Sequence, residues 1–231
     1  MKAYITGNTG TGKTLLAGVF GLYYRQNHNI KTHKIYANLG LNIPGVVYTQ
    51  FGFIPYSKVI KGNSLVILDD FKNLGNMKGF STYLTTVSRK TNTQIIATVQ
   101  YYTHIKKEMR DLFDYELIPK LTNLKYNKNK GIEELTSESE LSFTPYNPTT
   151  LEQTDKTKVI PNILSIIKGI YNTREVVKPS TKRVKIQEIA KFSNNFHDIE
   201  VNVGICESSE FKQEKLIKAV CELKDIPYIK C

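Results

Sequence analysis

Eight consecutive residues near the start of the chain have the types and spacing of a phosphate-binding loop. They are Gly7, Asn8, Thr9, Gly10, Thr11, Gly12, Lys13 and Thr14. The run satisfies every fixed position of the pattern G-x-x-x-x-G-K-[ST], in which glycines let backbone N–H groups turn inward around phosphate oxygens. The lysine of such a loop contacts the β- and γ-phosphates, and the hydroxyl after it ligates Mg²⁺. Residues 7–14 therefore predict a site for ATP and Mg²⁺, with Thr14 as one metal ligand.

Two adjacent carboxylates follow an apolar run further along the chain. Residues 64–68 have the continuous apolar character of a strand buried on both faces, and Asp69 and Asp70 come directly after it. Because ligands of open α/β sheets bind beyond the carboxyl ends of strands, we expect the pair to face the loop. Asp69 is then expected to hold Mg²⁺, directly or through water, and Asp70 to orient or deprotonate an attacking water. The alternative for such a pair is a turn or a helix cap.

Three later polar residues complete the candidate catalytic set. Gln100 ends the apolar run 94–99, a strand expected to lie between the strand before the loop and the strand before Asp69. Its amide either hydrogen-bonds the γ-phosphate or the attacking water, or caps the next helix. Arg89 and Arg110 are candidates for a guanidinium supplied to the γ-phosphate of a neighbouring subunit. The alternative for both is a surface or ion-pairing arginine.

The order of elements along the first 120 residues explains how these groups come together. Short apolar runs, each expected to be a strand, alternate with segments of helical periodicity. The expected strands are 2–6, 34–37, 64–68, 94–99 and 116–119, and the expected helices are 13–27, 82–90 and 105–113. This alternation predicts an α/β fold with a mostly parallel sheet flanked by helices. Residues 120–130 are expected to be either a two-stranded excursion or a surface loop.

The C-terminal part of the chain has a different pattern. Residues 179–183 read as a linker, so we place a P-loop ATPase domain at residues 1–178 and a small extension at 179–231. In the extension we expect helices at 184–192 and 210–223 and strands at 199–205 and 228–230, which would make a small α/β unit. Its basic helix either contacts phosphates or is solvated while the segment packs against the core or a capsid protein.

The net charge of the 231-residue chain is +11, which favours a polyanionic partner. Residues 1–150 hold 18 basic and 10 acidic side chains, and residues 151–231 hold 14 and 11, so the excess lies in the predicted P-loop domain. No apolar stretch approaches the length of a spanning helix, and no membrane anchor is expected. The cysteines are Cys206, Cys221 and Cys231, an odd number without paired spacing, which argues against a disulfide framework and a zinc site.

The motifs together resemble the FtsK–HerA superfamily of DNA-pumping ATPases, and within it the compact genome-packaging ATPases of archaeal and membrane-containing viruses. The resemblance covers residues 1–178. It is carried by residues 7–14, 65–70, 88–90, 95–100, 107–110, 113–115 and 170–173. The phosphate loop is typical of nucleotide binding in general, and the Thr-x-Gln strand end with its upstream arginine carries the narrower assignment. One departure is the pair Asp69-Asp70, where the family usually has Asp-Glu.

The resemblance implies a P-loop NTPase fold of the RecA-like (ASCE) type and a motor that hydrolyses ATP while it translocates double-stranded DNA. In these terms Lys13 and Thr14 clamp the nucleotide, Asp69 holds Mg²⁺, Gln100 is the sensor and Arg89 the finger acting on a neighbouring subunit. It further implies a hexameric ring around DNA, a capsid or portal-vertex partner, and a soluble protein in the cytoplasm of an infected cell or associated with the virion. The alternatives are a P-loop kinase of a small molecule and a nucleotide-dependent switch or adaptor that does no mechanical work.

Overall fold

The apolar runs of the first 160 residues form one central sheet. The computed structural model describes residues 1–49, 63–70, 92–105, 107–167, 170, 182–207 and 209–229. Its strands are β1 (Lys2–Ile5), β2 (His33–Ala37), β3 (Val46–Tyr48), β4 (Asn63–Leu68), β5 (Gln94–Thr98), β6 (Tyr115–Thr122), β7 (Lys125–Asn127), β8 (Ile132–Glu134), β9 (Glu140–Tyr146) and β10 (Lys158–Ile160). Eight of them form one sheet in the order β10-β9-β6-β1-β5-β4-β2-β3, and β7 and β8 form a separate pair.

The direction of the strands agrees with the sequence prediction. The six strands from β6 to β3 in this order run parallel, and β9 is antiparallel to β6. Strand β5 lies between β1 and β4 and pairs with both. The loop after β1 and the two acids after β4 are therefore separated by the width of one strand. This arrangement confirms the α/β fold with its mostly parallel sheet, and it confirms the position predicted for the strand before Gln100.

Helices cover both faces of the sheet. In the described residues they are α1 (Lys13–Asn27), α2 (Lys107–Arg110), α3 (Ile163–Ile167), α4 (Lys182–Phe192), α5 (Phe196–Cys206) and α6 (Glu210–Lys224). Alternate residues of β4 show the division, because Leu65 and Ile67 join a cluster with Leu16 of α1, whereas Val66 and Leu68 join a cluster with Ile189 of α4. Since both faces are covered, residues 65–68 of the strand are all apolar.

The described residues of the extension form three helices and no strand, so the strand predicted at 199–205 is wrong and the small α/β unit is not formed. These residues lie in α5, whose start is capped by Asn195, which accepts a hydrogen bond from the Asp198 N–H at 2.8 Å. Apolar and polar residues alternate along 199–205, which is a strand pattern. Packing against α4 and α6 buries both kinds, Asn202 as fully as Ile199, and overrides that pattern. Residues 226–229 also form no strand.

Several other elements differ from the expected ones. Of the two alternatives for residues 120–130, the two-stranded excursion is correct, because β7 and β8 pair as an antiparallel hairpin. The helix expected at 105–113 is confined to the single turn of α2, and a short edge strand, β3, lies in a segment expected to be irregular. The helix expected at 82–90 lies outside the described residues.

The helices of the extension share a hydrophobic cluster with the sheet. Ile189 of α4, Ile199 of α5 and Leu216 of α6 belong to the same buried cluster as Tyr4 and Val66. The extension therefore covers one face of the sheet. The predicted boundary between residues 178 and 179 lies outside the described residues and stays a prediction.

Truncation of one of these shared side chains should destabilise the whole chain. Ile189 is completely buried, so Ile189→Ala should lower the free energy of unfolding by about 2–5 kcal/mol. Leu223 on α6 is 58% exposed, and Leu223→Ala should change it by less than about 0.5 kcal/mol. Thermal and urea unfolding of the full chain measure both. A separate early transition in Ile189→Ala, with the main transition unmoved, would show that the extension unfolds independently.

Candidate nucleotide-binding site

Residues 7–12 connect β1 to α1 as a tight loop at the carboxyl edge of the sheet. Gly12, the last residue before α1, has φ 95°, and a Cβ there would lie 2.9 Å from Leu141 Cδ1 and 3.1 Å from Leu121 Cγ. Both the backbone conformation and the contacts therefore require glycine. The first turn of α1 follows at once, so its free N–H groups and its dipole favour an anion in front of the loop.

A buried carboxylate fixes the strand end from which the loop starts. Glu116 on β6 accepts a hydrogen bond from the Thr6 hydroxyl at 2.6 Å and from the Tyr4 hydroxyl at 3.2 Å. Burial, together with the charge of Glu116, raises the pKa of Tyr4, so the tyrosine keeps the proton that it donates. These bonds tie β1 to β6 at the residue immediately before the loop.

The Lys13 ammonium lies across the loop. Its Nζ donates to the carbonyl oxygens of Gly7 at 2.7 Å and Asn8 at 2.8 Å. Partial burial lowers the pKa of Lys13, and the carboxylates of Asp69 and Asp70 act against that shift. The positive charge is thus held beside the N–H groups that would surround phosphate oxygens.

The Asp69 carboxylate is bound by hydroxyl groups from two other elements. The Thr14 hydroxyl of α1 lies 3.0 Å from Oδ1 and 3.2 Å from Oδ2, and the Thr98 hydroxyl of β5 donates to Oδ1 at 2.7 Å. Burial raises the pKa of Asp69, and the bonds from Thr98 and Thr14 act in the opposite direction. A hydroxyl and a carboxylate side by side are oxygen donors of the kind that Mg²⁺ binds.

The backbone around the acid pair is also held by side chains. Asn38 accepts from the Asp69 N–H at 2.6 Å and donates to the Asp69 carbonyl at 2.9 Å. The Asp70 N–H donates to the Thr98 hydroxyl at 2.8 Å, and Asp70 adopts φ 47°, a left-handed conformation that aspartate tolerates better than most residues. The chain turns at Asp70, which leaves this carboxylate exposed while Asp69 is half-buried.

A cavity of about 630 Å³ lies in front of the loop. Its lining residues are Thr9, Gly10, Gly12, Lys13, Thr14, Leu15, Asp70, Thr98, Gln100, Leu121, Leu135 and Ile167. Lys13, Asp70 and Gln100 contribute polar groups, whereas Leu121, Leu135 and Ile167 contribute an apolar surface. One cavity therefore offers both a cationic loop for phosphates and an apolar surface for a planar ring.

The structure brings most of the predicted site residues together. Asp70 and Gln100 line the same cavity as the loop, and Asp69 contacts Thr14 at its edge. Arg110 does not line the cavity. Its guanidinium lies 5.2 Å from the centre of the Tyr102 ring, and its Nε is buried with no hydrogen-bond partner among the described residues. Arg89 lies outside the described residues.

Three residues that organise the site were missed at the level of sequence. Thr98 links Asp69 to Asp70, Asn38 holds the backbone of Asp69, and Glu116 holds Thr6. Thr98 was visible as part of the Thr-x-Gln strand end. Asn38 and Glu116 carry no local signal, because their roles come from strands that are neighbours in the sheet but distant in the chain.

No protein-family model and no curated protein matches the chain. Among solved structures it is similar to the N-terminal domain of zonular occludens toxin from Neisseria meningitidis, at 15% identity over 74% of this chain and 98% of that chain, with a TM-score of 0.46. It is also similar to the genome packaging NTPase of Sulfolobus turreted icosahedral virus 2 in complex with ATP-γS. The two share 14% identity over 70% of this chain and 97% of that chain, with a TM-score of 0.41.

A third similar structure is the flagellar accessory protein FlaH from Methanocaldococcus jannaschii, at 14% identity over 73% of this chain and 87% of that chain, with a TM-score of 0.41. The resemblance expected from the sequence is thus present among solved structures. Because all three TM-scores are below 0.5, we base the function of this chain on its own site. The sheet order and the loop geometry are those of a P-loop NTPase fold.

The charge of Asp69 should destabilise the protein when no nucleotide is bound. Burial raises its pKa in the folded chain, so the charged form costs stability at neutral pH, and this cost is lost as pH falls through the raised pKa. Asp69→Asn should therefore unfold at a higher temperature than wild type at about pH 7.5, with a smaller gain at about pH 5. Circular dichroism melting of the nucleotide-free protein measures this difference.

The matched control is Asp155, an aspartate whose pKa is shifted in the opposite direction to that of Asp69. The hydrogen bond from Lys158 lowers the pKa of the exposed Asp155, so Asp155→Asn should give no gain in melting temperature at either pH. A loss of stability in Asp69→Asn that is equal at both pH values would show that its hydrogen bonds, and not its charge, dominate.

If the site hydrolyses the nucleotide that its loop is suited to bind, removal of the Thr98 hydroxyl should slow that hydrolysis while nucleotide affinity is kept. Thr98→Val preserves the shape of the side chain, but Asp69 loses a donor and the Asp70 N–H loses its acceptor. We expect kcat to fall about tenfold or more, equivalent to at least about 1.4 kcal/mol. Thr98→Ser, which keeps the hydroxyl, should restore most of the rate. Equal losses in both variants would assign the effect to packing of the methyl group.

Proposed function

We propose that the chain is an ATPase. The observation that supports this most directly is the hydroxyl of Thr98, which joins the half-buried Asp69 to the exposed Asp70 beside the phosphate loop. In this proposal Lys13 and the loop N–H groups bind the phosphates, and Thr14 and Asp69 hold Mg²⁺. The ion would neutralise charge on the β- and γ-phosphates.

The exposed acid and the amide at the cavity serve the attacking water in this proposal. Asp70 carries a carboxylate that no threonine hydroxyl covers, so it is available to orient the water or to accept its proton. Gln100, at the end of the central strand, is available to contact the water or the γ-phosphate. A carboxylate that binds a metal ion and one that accepts a proton need different surroundings. Asp69 is half-buried and Asp70 is exposed, so the two carboxylates have such different surroundings.

We further propose that hydrolysis drives translocation along double-stranded DNA, as in a motor that packages a viral genome. Two observations support this part: the sequence resemblance over residues 1–178, and a basic excess of +8 within residues 1–150 against +3 in the remainder. A motor that reads no sequence needs contact with phosphates, and lysine and arginine provide it.

The proposal includes a hexameric ring, as the resemblance implies, in which Arg89 or Arg110 reaches the nucleotide of a neighbouring subunit. The buried, unpaired Nε of Arg110 is consistent with a guanidinium that gains a partner on assembly. A capsid or portal-vertex protein would be the docking partner in the infected cell or virion. No helix in the described parts of the chain is long and apolar enough to cross a membrane.

The kinase alternative is less well supported by the cavity. Kinases of small molecules close a lid with several arginines over the transferred phosphate. Among the described residues that line this cavity, Lys13 is the cation and no arginine is present. The apolar and polar parts of the lining suit one nucleotide, and Asp70 beside it is a candidate to accept a proton from the attacking water.

Steady-state ATPase rates with duplex DNA, single-stranded DNA and no nucleic acid, each at several salt concentrations, test the function. We expect duplex DNA to raise the rate, and the stimulation to fall steeply with salt because phosphate contacts release counterions. Lys13→Ala should abolish hydrolysis in every condition. Turnover unaffected by nucleic acid would contradict the translocase, and tight nucleotide binding with negligible turnover, even with DNA, would identify a switch.

A further inference from the structure

The hairpin formed by β7 and β8, residues 125–134, projects from the main sheet. It leaves the sheet after β6 and returns to it at β9, and its two strands pair only with each other. Tyr126 is 59% exposed and Ile132 is 50% exposed, although both belong to paired strands. A two-stranded hairpin is only marginally stable by itself, and exposed apolar side chains add nothing to its stability. We therefore expect these side chains to contact a partner.

The base of the hairpin is tied to the nucleotide cavity. Leu121, near the end of β6, and Leu135, directly after β8, both line that cavity, and Leu121 also lies over the last glycine of the phosphate loop. Both chain segments that lead to the hairpin therefore pass the site where a nucleotide would bind. A ligand that moves these leucines moves the base of the hairpin.

Hydrogen bonds join the two chain segments at the base of the hairpin. The Ser139 hydroxyl donates to the Asn123 carbonyl at 2.9 Å and accepts from the Thr136 N–H at 2.8 Å. Asn123 in turn donates to the Glu138 carbonyl at 3.2 Å. Ser139 is fully buried, so its two bonds hold the strands together at the base of the hairpin, whereas the Asn123 bond is exposed.

The charges of the hairpin are unevenly distributed. On one side Glu134 accepts from Lys130 at 2.8 Å and from Asn127 at 3.0 Å, which neutralises that lysine. At the tip the exposed Lys128 makes no ion pair with the described residues. Glu133 is exposed and pairs across the ribbon with Tyr126. The hairpin therefore offers the exposed Lys128 at its tip and the exposed Tyr126 in β7, with the Glu133 carboxylate opposite that tyrosine as a group that would repel a polyanion. Lys125 is also exposed and lies opposite Glu134.

We propose that this hairpin contacts the phosphate backbone of duplex DNA and that the nucleotide in the cavity controls its position. The inference rests on the proposed function and names the element that contacts the DNA. Lysine and tyrosine side chains are common partners of phosphate oxygens. A ribbon of two strands, with strands about 4.8 Å apart, has the width that the roughly 12 Å major groove of B-DNA accepts.

Paired substitutions test the contact with DNA. Lys128→Glu and Tyr126→Ala should each weaken binding of a labelled duplex at least about tenfold, and Lys128→Glu should reduce the slope of log K against log salt by about one phosphate contact. Lys31→Glu and Tyr23→Ala are matched controls at an exposed lysine and a 65% exposed tyrosine outside the hairpin, and neither should change binding. Fluorescence anisotropy measures all four, and circular dichroism confirms their folding.

A substitution with the opposite expected sign removes any ambiguity from misfolding. Glu133→Gln deletes the repelling carboxylate next to Tyr126, so it should tighten duplex binding by about threefold or more at low salt and converge with wild type at high salt. Unchanged or weaker binding would overturn the hairpin assignment. Tighter binding of single-stranded DNA than of duplex DNA would contradict a contact between the hairpin and the major groove.

The absence of tryptophan from the sequence allows a specific test of the nucleotide link. Tyr126→Trp places a single tryptophan on the hairpin, and Tyr23→Trp places one on α1 as the control. Duplex DNA should shift the emission of the first and not of the second. A non-hydrolysable ATP analogue with Mg²⁺, without DNA, should also shift the first, and an unchanged spectrum would overturn the nucleotide link.

The outcomes separate this inference from the function on which it rests. If wild-type protein neither binds duplex DNA nor is stimulated by it, the translocase proposal fails. If wild type is stimulated and the hairpin variants respond equally, the function stands and the hairpin assignment fails. Hairpin variants that instead change the oligomeric state in sedimentation, with duplex affinity per protomer unchanged, would show that the hairpin contacts a second copy of the chain.

Discussion

The site depends on the half-buried carboxylate of Asp69 and the hydroxyls that bind it. Asp69 loses most of its hydration where β4 ends, and an ionised group in that position requires donors. Thr14 supplies one from α1 and Thr98 another from β5, so the acid joins the helix after the phosphate loop to the central strand. Because Thr98 also accepts from the Asp70 N–H, the same hydroxyl sets the turn that exposes the second acid.

The cavity beside this carboxylate joins two different parts of the fold. Its polar side belongs to the parallel strands, whose carboxyl ends meet at one edge of the sheet. Its apolar side comes from Leu121 of β6, from Leu135 between β8 and β9, and from Ile167 of α3. A nucleotide that occupies both sides contacts the loop and the base of the hairpin at the same time. The antiparallel edge is thus placed to respond to chemistry on the parallel strands.

The extension shows where local pattern is a poor guide. Residues 199–205 alternate between apolar and polar types, and the β-branched residues among them favour a strand. Three packed helices bury Asn202 as completely as Ile199, so the alternation does not mark an inside and an outside. By contrast, β4 was predictable, because a short run that is apolar at every position fits a strand covered on both faces, and α1 and α4 do cover it.

The phosphate loop, the acid pair, the strand that ends near Gln100 and the α/β class were all predictable from the amino-acid sequence, because each is encoded in contiguous residues. Glycine spacing and apolar runs are visible within a few consecutive residues. The carboxyl ends of parallel strands meet at one edge of the sheet, regardless of the segments that connect the strands. Only the tertiary structure decided that Thr98, Asn38 and Glu116 support the site and that the hairpin's base lines the cavity. Those roles depend on hydrogen bonds and contacts between segments up to about a hundred residues apart, and such register is set by packing of the whole sheet.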